Sequence, residues 1–207
     1  MGSTTFLPIF RLRGRAALRL AAVAAMLGAA AACGTPAPAT PQPAAVKPHE
    51  SRIITAATLK PGQAVPQPAA KPVLTLTGKI STTNRRGTLV FDQPTLAKLG
   101  VEQVRLYEPW AKQDLEFRGV WVKDLLAVAG VKANATRLHI TALDDYQVDL
   151  NIADIRAGGI MLATSAGDGS AMPVDKGGPT RIVFMNGVKA GANADQWIWS
   201  LKTIDVQ

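Results

Sequence analysis

The chain has 207 residues, 47% hydrophobic and 18% charged, a balance that fits a globular fold and excludes a highly charged disordered chain. This length accommodates one to two domains. The formal net charge is +8, of which four units come from Arg11, Arg13, Arg15 and Arg19 in a stretch with no acid before position 33. The remaining +4 is too mild to argue for a nucleic-acid partner. The single cysteine, Cys33, excludes an internal disulfide framework, a CxxC redox pair, a cysteine-based zinc finger and a four-cysteine iron–sulfur cluster.

Residues 1–32 read as a signal peptide: Arg11, Arg13 and Arg15 form a basic n-region, an Ala/Leu-rich apolar run starts at Ala16, and small residues precede Cys33. The run is about 17 residues long and contains Arg19, short of the roughly 20 apolar residues of a membrane span. Two forms of processing fit. In one, Cys33 is the lipidated first residue of a lipoprotein, although Ala30 stands where leucine is usual; in the other, a conventional export signal leaves Cys33 a free thiol. Both imply an exported protein of the periplasm or cell envelope, anchored to a membrane in the first case.

Residues 33–72 read as a tether. Nine of the fourteen prolines fall there, among Ala, Thr and Gln, a composition that favours polyproline II and buries little. A short ordered piece is expected around residues 53–59. The folded domain is expected over residues 73–207.

Within that domain, residues 73–78 alternate as a strand ending at Gly78. Asp92 or Thr95 can cap a short helix that runs to Leu99 and stops at Gly100. Residues 103–107 alternate again, and residues 117–122 lead into a short helix ended by Gly130. Residues 135–142 place Leu138, Ile140 and Ala142 on one strand face and Arg137, His139 and Thr141 on the other. Strands follow over residues 147–152 and 160–164, with a turn or helix end over 155–158 between them. A glycine-rich loop spans 165–179, and residues 181–185 and 197–205 complete the strands. The order predicts an α+β domain, a mixed β-sheet with a few short helices.

No strong catalytic signature is present. GxSxG, GxxxxGK[ST] and GxGxxG are all missing, which argues against nucleotide hydrolysis and dinucleotide chemistry. Only two histidines occur; His139 sits alone on a strand, so no metal site and no catalytic residue is assigned. Asp144-Asp145-Tyr146 after a strand fits either a hairpin turn or a polar pair and ring facing a pocket. The loop around Gly167, Gly169, Lys176 and Gly177, followed by Arg181, fits either an ordinary mobile loop or a backbone cradle with cationic donors. Trp197 and Trp199 share a face if the strand runs through them, as core or as a stacking platform. Trp110, beside Pro109 in a loop, is the better ligand candidate.

The order of these pieces resembles the molybdopterin-binding domain of the sulfite oxidase family. The carrying residues are Phe117-Arg118-Gly119-Val120-Trp121-Val122-Lys123-Asp124-Leu125-Leu126, like that family's W-x-G-V-x-L-x-D-L-L, and Asp144-Asp145-Tyr146 in place of D-G-Y. Leu162-Ala163, Asp168-Gly169, Met172-Pro173-Val174, Gly177, Pro179 and Arg181 follow its L-A…N-G-x-P-L…G-x-P-x-R run, and Gln196-Trp197 stands where K-W is usual. The resemblance implies that family's α+β fold. Its catalytic members hold molybdenum through a cysteine thiolate before the W-x-G-V block, where this chain has Tyr107-Glu108-Pro109-Trp110-Ala111 and no cysteine.

The chain is therefore more similar to exported, cysteine-lacking pterin-binding members, some of which pair with periplasmic sensor domains of cyclic-di-GMP enzymes. That likeness implies a pterin or molybdopterin-like ligand without molybdenum, bound by Trp110, Asp145, Tyr146, Gly169, Lys176 and Arg181. Gln196 in place of lysine implies a ligand without a phosphorylated tail. The alternatives are a molybdopterin-dependent oxidoreductase of the sulfite oxidase family and an envelope scaffold with no ligand.

Overall fold

The structure, a computed structural model, describes residues 50–207. The expected signal peptide (1–32), the lipidation site Cys33 and the tether up to residue 49 lie outside the described residues.

Ten strands and three short helices follow in the order β1 (Ser51–Thr55), β2 (Leu74–Gly78), β3 (Leu89–Phe91), α1 (Gln93–Ala97), β4 (Val101–Glu108), β5 (Gln113–Trp121), α2 (Val122–Ala129), β6 (Arg137–Ala142), β7 (Gln147–Asn151), α3 (Ile152–Ala157), β8 (Ile160–Ala166), β9 (Arg181–Phe184) and β10 (Leu201–Val206). One sheet has the order β1-β4-β5-β8-β9, with every neighbouring pair antiparallel. The other has the order β3-β2-β10-β6-β7, in which β10 runs parallel to β2. The α+β class expected from the sequence is the one observed.

Period-two patterning sets the faces. On β6, Leu138, Ile140 and Ala142 are buried while Arg137 is exposed and His139 and Thr141 are half-buried. His139 Nδ1 lies 2.8 Å from Asp149 Oδ1 on β7, a cross-strand pair that occupies the only histidine among the described residues. Both sheets feed one hydrophobic cluster, from Leu76, Leu89 and Ile204 of the second to Leu106, Leu162 and Phe184 of the first. α1 starts where Asp92, rather than Thr95, caps it, its carboxylate accepting the Thr95 N–H at 2.9 Å. α2 buries Leu125, Leu126 and Val128 and ends at Gly130, whose φ of 63° is the left-handed C-cap expected of glycine there.

The structure corrects the expected boundaries in two places. Residues 51–72 are not all tether: β1 pairs with β4, and Leu59 and Val65 are buried in the core. The segment's backbone is also fastened, since the N–H groups of Ala69 and Ala70 both donate to Asp92 Oδ2 at 2.9 Å. β1 is an edge strand with all five residues exposed, so it carries no alternation for a sequence reading to find. At the other end, β10 starts at Leu201 rather than at residue 197. Two short 3-10 turns, Lys189–Ala192 and Ala194–Gln196, fill the run from β9, and Ser200 at φ 50° breaks the chain direction before the strand.

Candidate functional site

A cavity of about 420 Å³ opens where three connections meet. Residues 109–112 form the turn between β4 and β5 and bring Trp110; residues 143–146 join β6 to β7 and bring Asp144 and Tyr146; residues 194–199, leading to β10, bring Asp195, Trp197 and Trp199. Ala142 and Ala194 complete the wall. Such a volume falls within the range of small-molecule sites, and the wall follows their usual pattern of aromatic surface with a few polar groups.

Each wall is held by local bonding. The Tyr146 hydroxyl donates to the Asp195 carbonyl at 3.0 Å, joining the β6–β7 turn to the segment before β10. The Asn193 side chain accepts the Asp195 N–H at 3.0 Å and caps the 3-10 turn. Trp197 packs against Phe184 with ring centroids 5.4 Å apart, and its indole N–H donates to the Gly191 carbonyl at 2.9 Å. Trp110 is 56% exposed, an open flank against the buried Trp197.

Behind Trp199 lies a buried ion pair. Arg181 Nη2 is 2.6 Å from Glu108 Oε1, and both residues are almost wholly buried. The other Glu108 oxygen accepts the Ala111 N–H in the turn that carries Trp110. The guanidinium carbon lies 4.4 Å from the Trp199 ring centroid and 5.3 Å from that of Phe117, within cation–π range of both. Burial pulls the Arg181 pKa down, opposed by the hydrogen bond and charge of Glu108. Gly177, at φ 87°, lets the loop lie against this stack, since a Cβ there would meet Arg181 Cδ at 3.0 Å and Trp199 Cγ at 3.1 Å. The Trp199 indole N–H is buried and has no hydrogen-bond partner.

The six residues expected to bind ligand therefore separate. Trp110 and Tyr146 line the cavity together. Asp145 does not: it takes the left-handed position of its turn (φ 65°) and lies 3.4 Å from Lys202 Nζ, and its neighbour Asp144 forms the wall. Gly169 sits elsewhere, where a Cβ would meet Arg118 Nη1 at 2.4 Å. Lys176 is exposed in the 3-10 turn Val174–Lys176 and is not part of the wall. Arg181 is core rather than ligand donor, because Glu108 takes its charge. Sequence reasoning missed Glu108, whose partner stands 73 residues away. It also missed Asp195, although Asn193 two residues before it is a local capping signal.

An aromatic-walled cavity where connections of the two sheets meet, in this α+β arrangement, has the form of a small-molecule site. The family model described as "Oxidoreductase molybdopterin binding domain" matches residues 83–207, and the chain belongs to that family. Among solved structures it is similar to the sulfane dehydrogenase SoxCD from Paracoccus pantotrophus, at 19% identity with a TM-score of 0.51, over 64% of this chain and 37% of that one. This chain thus spans little more than a third of that protein's length, and the likeness is one of fold. No curated protein matches the chain.

The residues present fit molybdopterin only in part. The aromatic walls suit a planar pterin ring. The phosphate does not fit, because the wall's charged side chains are Asp144 and Asp195, with no lysine or arginine. The metal has no sulfur ligand to meet, since no cysteine follows Cys33. Among the described residues no group of three His, Cys, Asp or Glu converges as a metal site, and no helix is long and apolar enough to cross a membrane.

Proposed function

We propose that the protein is an exported, lipid-anchored pterin-binding protein of the periplasm or cell envelope, a non-catalytic sensor or carrier. Its ligand is a pterin without molybdenum, and its partner is the periplasmic sensor domain of a membrane signalling protein such as a cyclic-di-GMP enzyme. Nucleic acid has no part in it, and the membrane is met only through the Cys33 lipid. The observation that carries this reading is an aromatic-walled cavity in a molybdopterin-binding-family domain that offers the metal no thiolate. The arginine-rich, then apolar, then small-residue run before Cys33 supports export and anchoring.

The test is mass spectrometry and metal analysis of the full chain purified from a host that makes both molybdopterin and simple pterins. A bound pterin with no metal is the expected result. Molybdenum at near-stoichiometric level would overturn the reading in favour of an oxidoreductase, and a chain that carries and binds no pterin would leave a scaffold.

A further inference from the structure

The part of molybdopterin that the cavity does not fit is its negative charge, and that disagreement indicates what the cavity selects. Trp110, Tyr146, Trp197 and Trp199 supply ring faces or edges on several sides. The faces of such rings carry negative electrostatic potential, so a box of them attracts cations and planar electron-poor rings. The wall's ionised side chains, Asp144 and Asp195, have the same sign. Asp144 Oδ1 accepts the Tyr146 N–H at 3.2 Å, and neither Asp144 nor Asp195 has a lysine or arginine as an ion-pair partner among the described residues.

Two cations close to the wall are held by other carboxylates. Lys202 pairs with Asp145 at 3.4 Å, and Arg181 is stacked behind Trp199 with Glu108 at 2.6 Å. The one buried polar group of the wall without a partner is the Trp199 indole N–H. It has essentially no accessible surface, so it takes no part in selecting the ligand's charge.

We infer that this cavity recognises a planar heteroaromatic ring bearing a cationic amino substituent, and that it discriminates against phosphorylated or carboxylated forms of the same ring. The ring stacks among the tryptophans, and the ammonium group faces Asp144 and Asp195. An anionic tail in the same place is repelled by two carboxylates, and the wall holds no lysine or arginine to offset them. The inference rests on the pterin reading of this site and adds the sign of the ligand's charge.

The experiment titrates the full chain, by calorimetry and by quenching of tryptophan fluorescence, with four probes. Three are pterins carrying an aminomethyl, a hydroxymethyl or a carboxyl group at the same ring carbon, cationic, neutral and anionic at neutral pH. The fourth is N-methylquinolinium, a flat cation without the pterin edge. The expected order is aminomethyl over hydroxymethyl over carboxyl, each step about tenfold in affinity. Asp144→Asn with Asp195→Asn should compress that series, narrowing the differences in affinity between the three pterins.

Equal binding of the three pterins, or tighter binding of the carboxyl form, would overturn the charge inference and leave pterin binding standing. Binding of N-methylquinolinium with no pterin bound would support the cation preference and overturn the pterin reading. A cavity that binds none of the four would overturn both.

Discussion

Glu108 uses its two carboxylate oxygens on opposite tasks: one accepts from Arg181 at 2.6 Å, the other accepts the Ala111 N–H of the turn that presents Trp110. Because Arg181 also stacks on Trp199, one buried carboxylate links two walls of the cavity. Removing one member of a buried pair leaves an uncompensated charge, at a cost of about 3–5 kcal/mol, whereas replacing both with apolar groups is often tolerated. Glu108→Gln should therefore lower the denaturation midpoint sharply, and Glu108→Leu combined with Arg181→Met should recover much of the loss. Equilibrium urea unfolding of the parent and the two variants checks this. The double variant should still bind ligand more weakly than the parent, since the Ala111 N–H has lost its acceptor and the Trp110 turn its anchor.

Trp110 separates binding from stability. Its ring is 56% exposed, so truncation removes little buried surface. A ring stacked on an aromatic side chain contributes roughly 1–3 kcal/mol, by analogy with base stacking. Trp110→Ala should weaken pterin binding about tenfold or more while leaving the thermal midpoint almost unchanged. Trp197→Ala, at a buried position packed on Phe184, should lower both. Thermal melts with and without ligand give both readings from one experiment.

Asp92 makes the fold acid-sensitive. The Thr95 side chain hydrogen-bonds its carboxylate, burial opposes, and the N–H groups of Ala70, Thr95 and Ala69 add to the lowering, which brings the pKa from 3.8 to about 2. A carboxylate depressed in the folded state binds its proton less readily there than in the unfolded chain. Its contribution is thus complete above the unfolded value and is lost as pH falls towards about 2. The shift corresponds to about 2 kcal/mol. Asp92→Asn should be less stable than the parent at neutral pH, and the difference should shrink between pH 4 and about pH 2 in urea titrations.

What the sequence made legible follows periodicity and punctuation. β6 alternated and α2 ended on Gly130, and both stand where the pattern put them. Trp110 and Tyr146, singled out together from the sequence, do stand on one cavity wall. Arg181 was misread because its charge is satisfied across 73 residues of sequence, a relationship that no local pattern encodes. Asp144 and Asp145 are adjacent, and no sequence pattern tells that Asp144 lines the cavity while Asp145 takes the left-handed position of the turn. The composition of the glycine-rich loop fits either a mobile loop or a cradle; in the structure Gly177 serves close packing on Arg181 and Trp199, and Gly169 lies against Arg118.

The domain's start gives the last prediction. Proline-rich composition suggested that the folded unit begins at Val73, yet Leu59 and Val65 are buried in the core and Asp92 fastens the backbone at Ala69 and Ala70. Large-to-small substitution of a buried leucine costs about 2–5 kcal/mol, so Leu59→Ala should be clearly destabilising, a result no flexible tether would give. The exposed edge strand should behave differently: Ile53 is 70% exposed, and Ile53→Thr should change stability by about 0.5 kcal/mol or less. A chain beginning at Glu50 should unfold cooperatively, and one beginning at Val73 should lose several kcal/mol, because it exposes the surface under Leu59 and Val65 and strips Asp92 of two of its donors. Chemical denaturation of the two truncations distinguishes a segment that belongs to the fold from one that only leads to it.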